Sequence, residues 1–257
     1  MQSRPYMDIQ AYLNRISYQG SREPTAETLR ALHVAHQLSV PFENLSISLG
    51  QAIVLDEEAL FDKIVVRRHG GFCYELNGLF AMLLRALGFR VAMLSGGVAH
   101  PGDAFGPEFD HMVLMVSLGQ RWVADVGFGD AFREPLLLDE AGEQSQGRRV
   151  YRITSDGPYR TLLSQDDGGR WRARYRFTLQ PHEIAEYQGM CLFHQTSPQS
   201  PFTQRRTCSL PTPDGRITLT DMRFIRTGAN GDREERLLTS QDEYESVLRT
   251  QFGILLP

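Results

Sequence analysis

At 257 residues, with 41% hydrophobic and 23% charged residues, the chain is long enough and apolar enough for a substantial globular core. A net charge of −4 leaves no footprint for nucleic acid or an anionic membrane surface. Three cysteines are too few and too odd a set for a disulfide framework, and no stretch approaches the length of a membrane span.

The start, Met1-Gln2-Ser3-Arg4-Pro5-Tyr6, has no signal-peptide apolar region, so a soluble, cytoplasmic protein of a reducing compartment is expected. Asp8 to Ile16 places Ile9, Tyr12, Leu13 and Ile16 on one face and predicts a short amphipathic helix. Thr25 predicts the N-cap of a second helix carrying Leu29, Leu32 and Ala35. His33 and His36 lie on that helix. With no second ligand pair in view they read as partly solvated or core histidines rather than catalytic ones. Val40-Pro41-Phe42-Glu43-Asn44-Leu45 reads as a proline-interrupted connection. Asp56 then predicts the cap of a third helix with Leu60, Phe61 and Ile64 inward.

The stretch Arg67-Arg68-His69-Gly70-Gly71-Phe72-Cys73-Tyr74-Glu75-Leu76-Asn77-Gly78 follows. From Leu76, apolar residues recur at Leu79, Phe80, Leu83, Leu84 and Leu87, and Gly88 stops the pattern. Cys73 is thereby placed at the first turn of a mostly buried helix. Unpaired N–H groups and the positive end of the helix dipole favour a thiolate there. A buried, inert thiol is the competing reading of the same position. This helix closes an all-helical first region.

After Gly88 the period changes from 3.6 to 2. Phe89 to Val98, His111 to Leu118, Arg121 to Val126, Val150 to Thr154, Tyr159 to Leu163 and Trp171 to Leu179 read as strands. Polar turn clusters at Gly102-Asp103, Asp139 to Gly147 and Gln165 to Gly169 separate them, giving an antiparallel sheet or small barrel. Pro- and Ser-rich turns from about Gln180 lead to strands at Arg216 to Thr220 and Arg223 to Thr227. A final helix is capped by Ser240 with Glu243 and packs Tyr244, Val247, Leu248 and Phe252.

A nucleophilic cysteine needs a base within hydrogen-bond reach, and the base needs an orienting group. His111 opens one predicted strand and Asp125 closes the next, across a turn at Leu118-Gly119-Gln120. A three-residue loop pairs Ser117 with Arg121 and His111 with Gly127. Asp125 is then the diagonal neighbour of His111 on the same face, about 7–8 Å away between Cα atoms and within side-chain reach. A two-residue loop would send Asp125 to the opposite face. Alternatively Asp125 is a strand-end carboxylate bonded to the Gly127-Phe128-Gly129 turn. No Cys-x-x-Cys pair, zinc-protease helix, P-loop or dinucleotide fingerprint occurs, so no metal site and no tightly bound cofactor is expected.

Three of these stretches, in this order, resemble the arylamine N-acetyltransferase family: Gly70-Gly71-Phe72-Cys73-Tyr74-Glu75-Leu76-Asn77, His111 with Asp125-Val126-Gly127-Phe128-Gly129, and Ser197-Pro198-Gln199-Ser200-Pro201-Phe202 followed by Pro213-Asp214-Gly215-Arg216. Val40 to Leu45 is similar to a further family stretch. Two departures are visible: His69 stands where the family usually has arginine, and the hairpin between His111 and Asp125 is one residue shorter than usual. The resemblance implies an α+β chain with a helical bundle over residues 1–88, an antiparallel β-barrel over 89–195 and a smaller α/β part over 196–257, around a cysteine-protease or transglutaminase-like core. It implies a Cys73–His111–Asp125 triad, with acetyl-CoA as co-substrate and an arylamine or hydrazine as acceptor. Ping-pong acetyl transfer, and O-acetylation of N-hydroxyarylamines, would follow. By the same resemblance Phe72, Phe128 and Phe202 would contact the acceptor, and Gly127, Gly129, Phe193 and Ser197 the coenzyme. A monomer or homodimer is implied. An amide synthase of the same fold and a transglutaminase-like thiol hydrolase are the alternatives.

Overall fold

The computed structural model describes residues 7–102, 104–166 and 168–256. Met1 to Tyr6, together with Asp103 and Asp167 of two predicted turns, lie outside them.

Three side-chain caps organise the first helices. Asp8 Oδ1 accepts from Ala11 N (2.9 Å), Thr25 Oγ1 from Thr28 N (3.2 Å) and Asp56 Oδ1 from Ala59 N (2.8 Å). They start α1 (Ile9–Arg15), α2 (Ala26–Ser39) and α4 (Glu57–Phe61). The third helix is shorter than its apolar spacing predicts. After Phe61 it widens into a π-type turn over Asp62–Val66, which buries Ile64 but leaves Phe61 only half-buried. Arg15, at the end of α1, is 4% exposed. Its guanidinium donates to the carbonyls of Ile64 (2.8 Å), Ser39 (2.6 Å), Arg68 (3.2 Å) and His69 (3.2 Å). One buried cation thus fastens α1 to the segment that leads into the cysteine helix, and burial lowers its pKa to about 10.

The first region is not all helical. Phe42–Glu43 forms a two-residue strand, β1, paired through Phe42↔Ser209 and Glu43↔Cys208 with β10 (Thr207–Thr212) far along the chain. The proline at 41 ends α2's run, and the next two residues find their ladder partners in the other end of the sequence. A four-residue helix, α3 (Leu45–Ser48), follows it.

The central helix α5 (Cys73–Ala86) buries Leu76, Leu79, Phe80, Leu83 and Leu84 completely. Each contributes roughly 2 kcal/mol of transfer free energy before entropy is charged. Gly88, at φ +90°, takes the left-handed conformation that ends the helix.

Eight strands form an antiparallel, nearly closed sheet in the order β5-β4-β3-β2-β9-β8-β7-β6. They are β2 (Arg90–Val98), β3 (His111–Leu118), β4 (Gln120–Ala124), β5 (Leu136–Leu137), β6 (Gln144–Gln146), β7 (Arg149–Asp156), β8 (Tyr159–Gln165) and β9 (Trp171–His182). Its two edge strands are joined by side chains instead of a ladder. The Gln144 amide accepts from Leu137 N (2.8 Å) and donates to Leu137 O (2.9 Å). The Gln146 amide accepts from Arg133 N (2.9 Å) and Glu134 N (3.0 Å) and donates to Glu134 O (2.6 Å).

A second sheet, β1-β10-β11-β12-β13, adds β11 (Gly215–Thr220), β12 (Arg223–Gly228) and β13 (Arg233–Leu237). The final helix, α8 (Gln241–Val247), packs Tyr244 and Val247 against Cys208, Leu219 and Phe224, and the helix predicted there continues as a π-type turn, Leu248–Phe252, that adds Leu248 and Phe252. Ser240 caps it through Glu243 N (3.2 Å), but the Glu243 carboxylate reaches back to Thr239 N (2.8 Å) rather than to Ser240. Between the sheets lie α6 (Gln188–Thr196) and α7 (Pro201–Gln204), where the sequence reads as turns. Ser200 Oγ accepts from Phe202 N (3.2 Å), and Pro201 is preset for the first helical position, so the Ser-Pro cluster starts a helix.

Candidate active site

The first turn of α5 is set from below. Glu75 Oε2 accepts from Phe72 N (3.0 Å), and its Oε1 takes the Lys63 ammonium at 2.7 Å. Lys63 also lies 3.4 Å from Glu43 Oε1, while Glu43 Oε2 accepts from Leu45 N (2.6 Å). Glu43 N donates to Gly71 O (2.9 Å), so β1, the glycine pair and the helix start are one connected unit. A Cβ at Gly70 would fall 1.9 Å from Pro41 O, which is why that position admits only glycine. His69 is buried, with Nε2 3.0 Å from Leu255 O.

The hairpin keeps the register that aligns the other two candidates. Ser117 pairs with Arg121 as predicted, and a further pair, Leu118↔Gln120, leaves Gly119 alone at the tip with φ +78°. His111 Nε2 lies 2.8 Å from Asp125 Oδ2, and both side chains are almost wholly buried. β4 ends at Ala124 rather than Val126, because the next two N–H groups leave the ladder. Asp125 N donates to His33 Nε2 (3.0 Å) and Val126 N to Asn77 Oδ1 (2.9 Å).

Asp125 contacts both His111 and the glycine turn that follows it. Its Oδ2 faces His111, while Oδ1 accepts from Gly127 N (2.9 Å) and from Asn77 Nδ2 (2.9 Å). Burial opposes the carboxylate charge, but His111, Asn77 and Gly127 together hold Asp125 below the usual carboxylate range. Asn77 is one turn beyond Cys73 on the same face of α5, and also donates to Met112 O (2.7 Å). It therefore ties the cysteine helix to both strands of the hairpin.

Cys73 is 4% exposed, and burial pushes its thiol well above the ordinary value, with the Asp125 and Asp110 charges adding to the shift. The Met112 backbone works in the other direction. The helix start alone does not offset burial in so dry a place. Gly127 closes over the cysteine: a Cβ there would meet Cys73 Cα at 2.8 Å and Asn77 Nδ2 at 2.8 Å.

The remaining candidates fall into separate groups. Phe128 stands edge-on to His111, ring centroids 5.2 Å apart, and with Gly129 lines a cleft completed by Phe42, Asp125, Val126 and Pro211. Phe202 packs on Phe42 (6.3 Å) and Phe72 (5.5 Å). Phe72 has no exposed surface; it lies outside that cleft lining, and so do the exposed Phe193 of α6 and Ser197 at its end. Arg216 of β11 donates to Gly129 O and to Ser209 Oγ (2.9 Å), joining the second sheet to the Gly127–Gly129 turn. Cys73, Cys191 and Cys208 are all free thiols. Among the described residues no group of three or more His, Cys, Asp or Glu side chains could hold a metal ion, and no helix is long and apolar enough to cross a membrane.

A family model described as N-acetyltransferase matches residues 25–257. Arylamine N-acetyltransferase 2 of Mus musculus is 35% identical across 97% of this chain and 95% of its own length. Arylamine N-acetyltransferase 1 of Homo sapiens is 37% identical over the same shares. The chain belongs to the arylamine N-acetyltransferase family. The solved arylamine N-acetyltransferase from Salmonella typhimurium superposes with a TM-score of 0.90 at 34% identity, covering 98% of this chain and 92% of that one. The Mycobacterium marinum arylamine N-acetyltransferase solved in complex with CoA matches with a TM-score of 0.87 at 32% identity, over 96% and 93%.

Within this arylamine N-acetyltransferase fold, two supporting residues escape a reading of the sequence. His33 is wholly buried, with Nδ1 2.8 Å from Arg133 O and Nε2 accepting from Asp125 N. Those partners require a neutral ring protonated on Nδ1, and burial lowers its pKa to about 4. Gln37, one turn on, donates to the carbonyls of Asp125 (3.2 Å) and Phe132 (2.8 Å). The i, i+4 spacing of His33 and Gln37 on a helix was the available signal. Nothing in the sequence aimed it at Asp125.

Proposed function

We propose that this chain transfers the acetyl group of acetyl-CoA to the nitrogen of arylamines and hydrazines through an acetyl-Cys73 intermediate, using Cys73, His111 and Asp125 as nucleophile, base and orienting acid. The observation that carries this reading is the His111–Asp125 contact of 2.8 Å, held by Asn77 to the helix that begins at Cys73. Family membership, and the CoA complex of the Mycobacterium marinum relative, support the acyl donor.

The residues act in a fixed order. Because Asp125 takes Nε2, Nδ1 is the ring nitrogen left to accept the Cys73 proton. The sulfur attacks the thioester carbonyl, and N–H groups at the positive end of α5 face the developing oxyanion. The tetrahedral species collapses, the CoA sulfur leaves and takes the proton from His111, and the acetyl group stays on Cys73. An aromatic amine or hydrazine then attacks that carbonyl while His111 accepts its proton, and the Cys73 sulfur is released. Asp125 keeps the imidazole in one tautomer and stabilises its positive charge throughout. Phe128, against His111 and in the cleft, and Phe202 beyond Phe42 are the aromatic walls proposed for the acceptor. Phe72 backs them. Gly127, Gly129, Phe193 and Ser197 are proposed on the coenzyme side. In this reading residues 1–88 bring the nucleophile, 89–195 the histidine and aspartate, and 196–257 the covering part.

Intact-mass spectrometry after brief exposure to acetyl-CoA alone tests the intermediate, with Cys73→Ala as control. One added acetyl group, absent from the variant and discharged by 4-aminobenzoate, is the expected result. No adduct on a Cys73 that is still readily alkylated would move the reading to another acyl donor.

A further inference from the structure

A second carboxylate–imidazole pair stands beside the first. Asp110, peptide-bonded to His111, presents Oδ1 3.4 Å from Nε2 of His194 on α6, and their side chains are 13% and 4% exposed. The contact is built from four directions. Asp110 Oδ2 accepts from Val98 N (3.0 Å). Gly106 makes room for that carboxylate, since a Cβ there would come within 2.2 Å of it. The Tyr74 hydroxyl, one residue beyond Cys73, donates to Phe109 O (2.6 Å) and also reaches Asp110 O (3.2 Å). On the far side, His194 Nδ1 is 3.1 Å from Ser200 Oγ, the oxygen that caps α7 and its Phe202.

Apart from Asp110 and Ser200, His194 is surrounded by rings. Phe72, Tyr74, Phe193 and Phe202 lie with centroids 5.1 to 6.4 Å away. Among the described residues, Cys73 and Tyr74 from α5 and His111 from β3 interact electrostatically with Asp110, while Cys191, one turn back on α6, and Tyr187, just before α6, do so with Tyr74. Lys63 and Glu75 lie beyond Cys191 and compensate each other at 2.7 Å.

We infer that His194, acting through Asp110, is a positioning residue for the reaction: its Nε2 faces a second carboxylate beside Cys73 and His111, and its Nδ1 anchors the α6–α7 segment to the start of β3. The inference rests on Cys73 and His111 being nucleophile and base. A bare carboxylate at position 110 would favour the imidazolium and oppose the thiolate, raising the pH at which each loses its proton. An imidazole turned toward it removes part of that field. Although burial works against it, Asp110 is held below the usual carboxylate range by His194 and the Val98 N–H.

The test is the pH profile of Cys73 alkylation by iodoacetamide, read beside acetylation by acetyl-CoA, in the full chain. His194→Gln should move both limbs up by about one pH unit, and Asp110→Asn should move both down by a similar amount, the order expected for one partly screened charge. The double variant should follow Asp110→Asn. Folding is checked by near-ultraviolet circular dichroism. Limbs that stay in place under a uniformly lower rate, or that move the same way in both single variants, overturn the inference. If His194→Gln does not fold, Asp110→Asn decides alone, because it keeps an acceptor for Val98 N and leaves α6 untouched. A wild-type chain that acquires neither alkyl nor acetyl on Cys73 defeats the functional reading and this inference with it. A wild-type chain that acetylates while the variants keep its profile defeats only the inference.

Discussion

The floor beneath Cys73 and the free edge of the second sheet both carry paired charges, but in different solvents. In the floor, Lys63 meets Glu75 at 2.7 Å and Glu43 at 3.4 Å, with the three side chains 9%, 1% and 0% exposed. Each carboxylate also holds a backbone N–H, that of Phe72 or of Leu45, so the charges fix the chain as well as one another. On β13, Glu235 is met by Arg233 of the same strand at 3.0 Å and by Arg223 of β12 at 3.5 Å, with all three side chains well exposed. Water already serves those groups, and salt screens them. Similar distances therefore carry different weight. The buried set makes the cysteine's loop rigid, whereas the edge pairs decorate a surface.

Lys63→Met breaks the comparison at its strongest point by leaving Glu43 and Glu75 buried together without a cation. A loss of about 3–5 kcal/mol in denaturant unfolding is expected. A loss below about 1 kcal/mol would put the floor on a level with the surface. The next effect is acid sensitivity, which belongs to another buried group, His33 beneath Asp125. The folded-state pKa of His33 is depressed to about 4 from an ordinary 6.5, so below 6.5 the unfolded chain binds the proton and the folded one does not. Its contribution is present in full above pH 6.5 and is lost as pH falls toward 4. Between pH 7 and 5 this one group should cost about 2 kcal/mol. His33→Gln should flatten the stability profile by that amount, and an unchanged slope would show that His33 is not held neutral. His36, lowered in the same direction by burial, adds to the slope and stays in the variant. Smallest is Glu235→Gln at the sheet edge, where a change under about 0.5 kcal/mol, vanishing in high salt, is expected. A cost near that of Lys63→Met would erase the distinction between the two regions.

Local chemistry was legible in the sequence. Thr25, Asp56 and Ser240 announced their helices by capping, Gly88 ended α5, and the parity of the loop at Gly119 put Asp125 on the face of His111. These signals span a few residues, and neighbouring side chains settle them. What escaped depends on residues brought together from far apart. β1 is a strand only because β10 supplies its ladder, and His33 supports Asp125 across 92 positions. Lys63 looks like any surface lysine until Glu43 and Glu75 enclose it. Arg15 likewise occupies an ordinary helix end whose four carbonyl acceptors come from three other segments. Asn77 was visible as part of a motif. Its double grip on Asp125 and Met112 needed the hairpin to be in place.

The glutamine closure of the eight-stranded sheet has a consequence for how copies of this protein meet. An open edge strand offers a row of unpaired amides on which another chain can template itself. Here the N–H groups of Arg133, Glu134 and Leu137, and the carbonyls of Glu134 and Leu137, are already taken by the amides of Gln144 and Gln146. Each glutamine imitates a passing strand with one donor and one acceptor, so those five groups of the rim are closed to a second molecule that would extend the sheet.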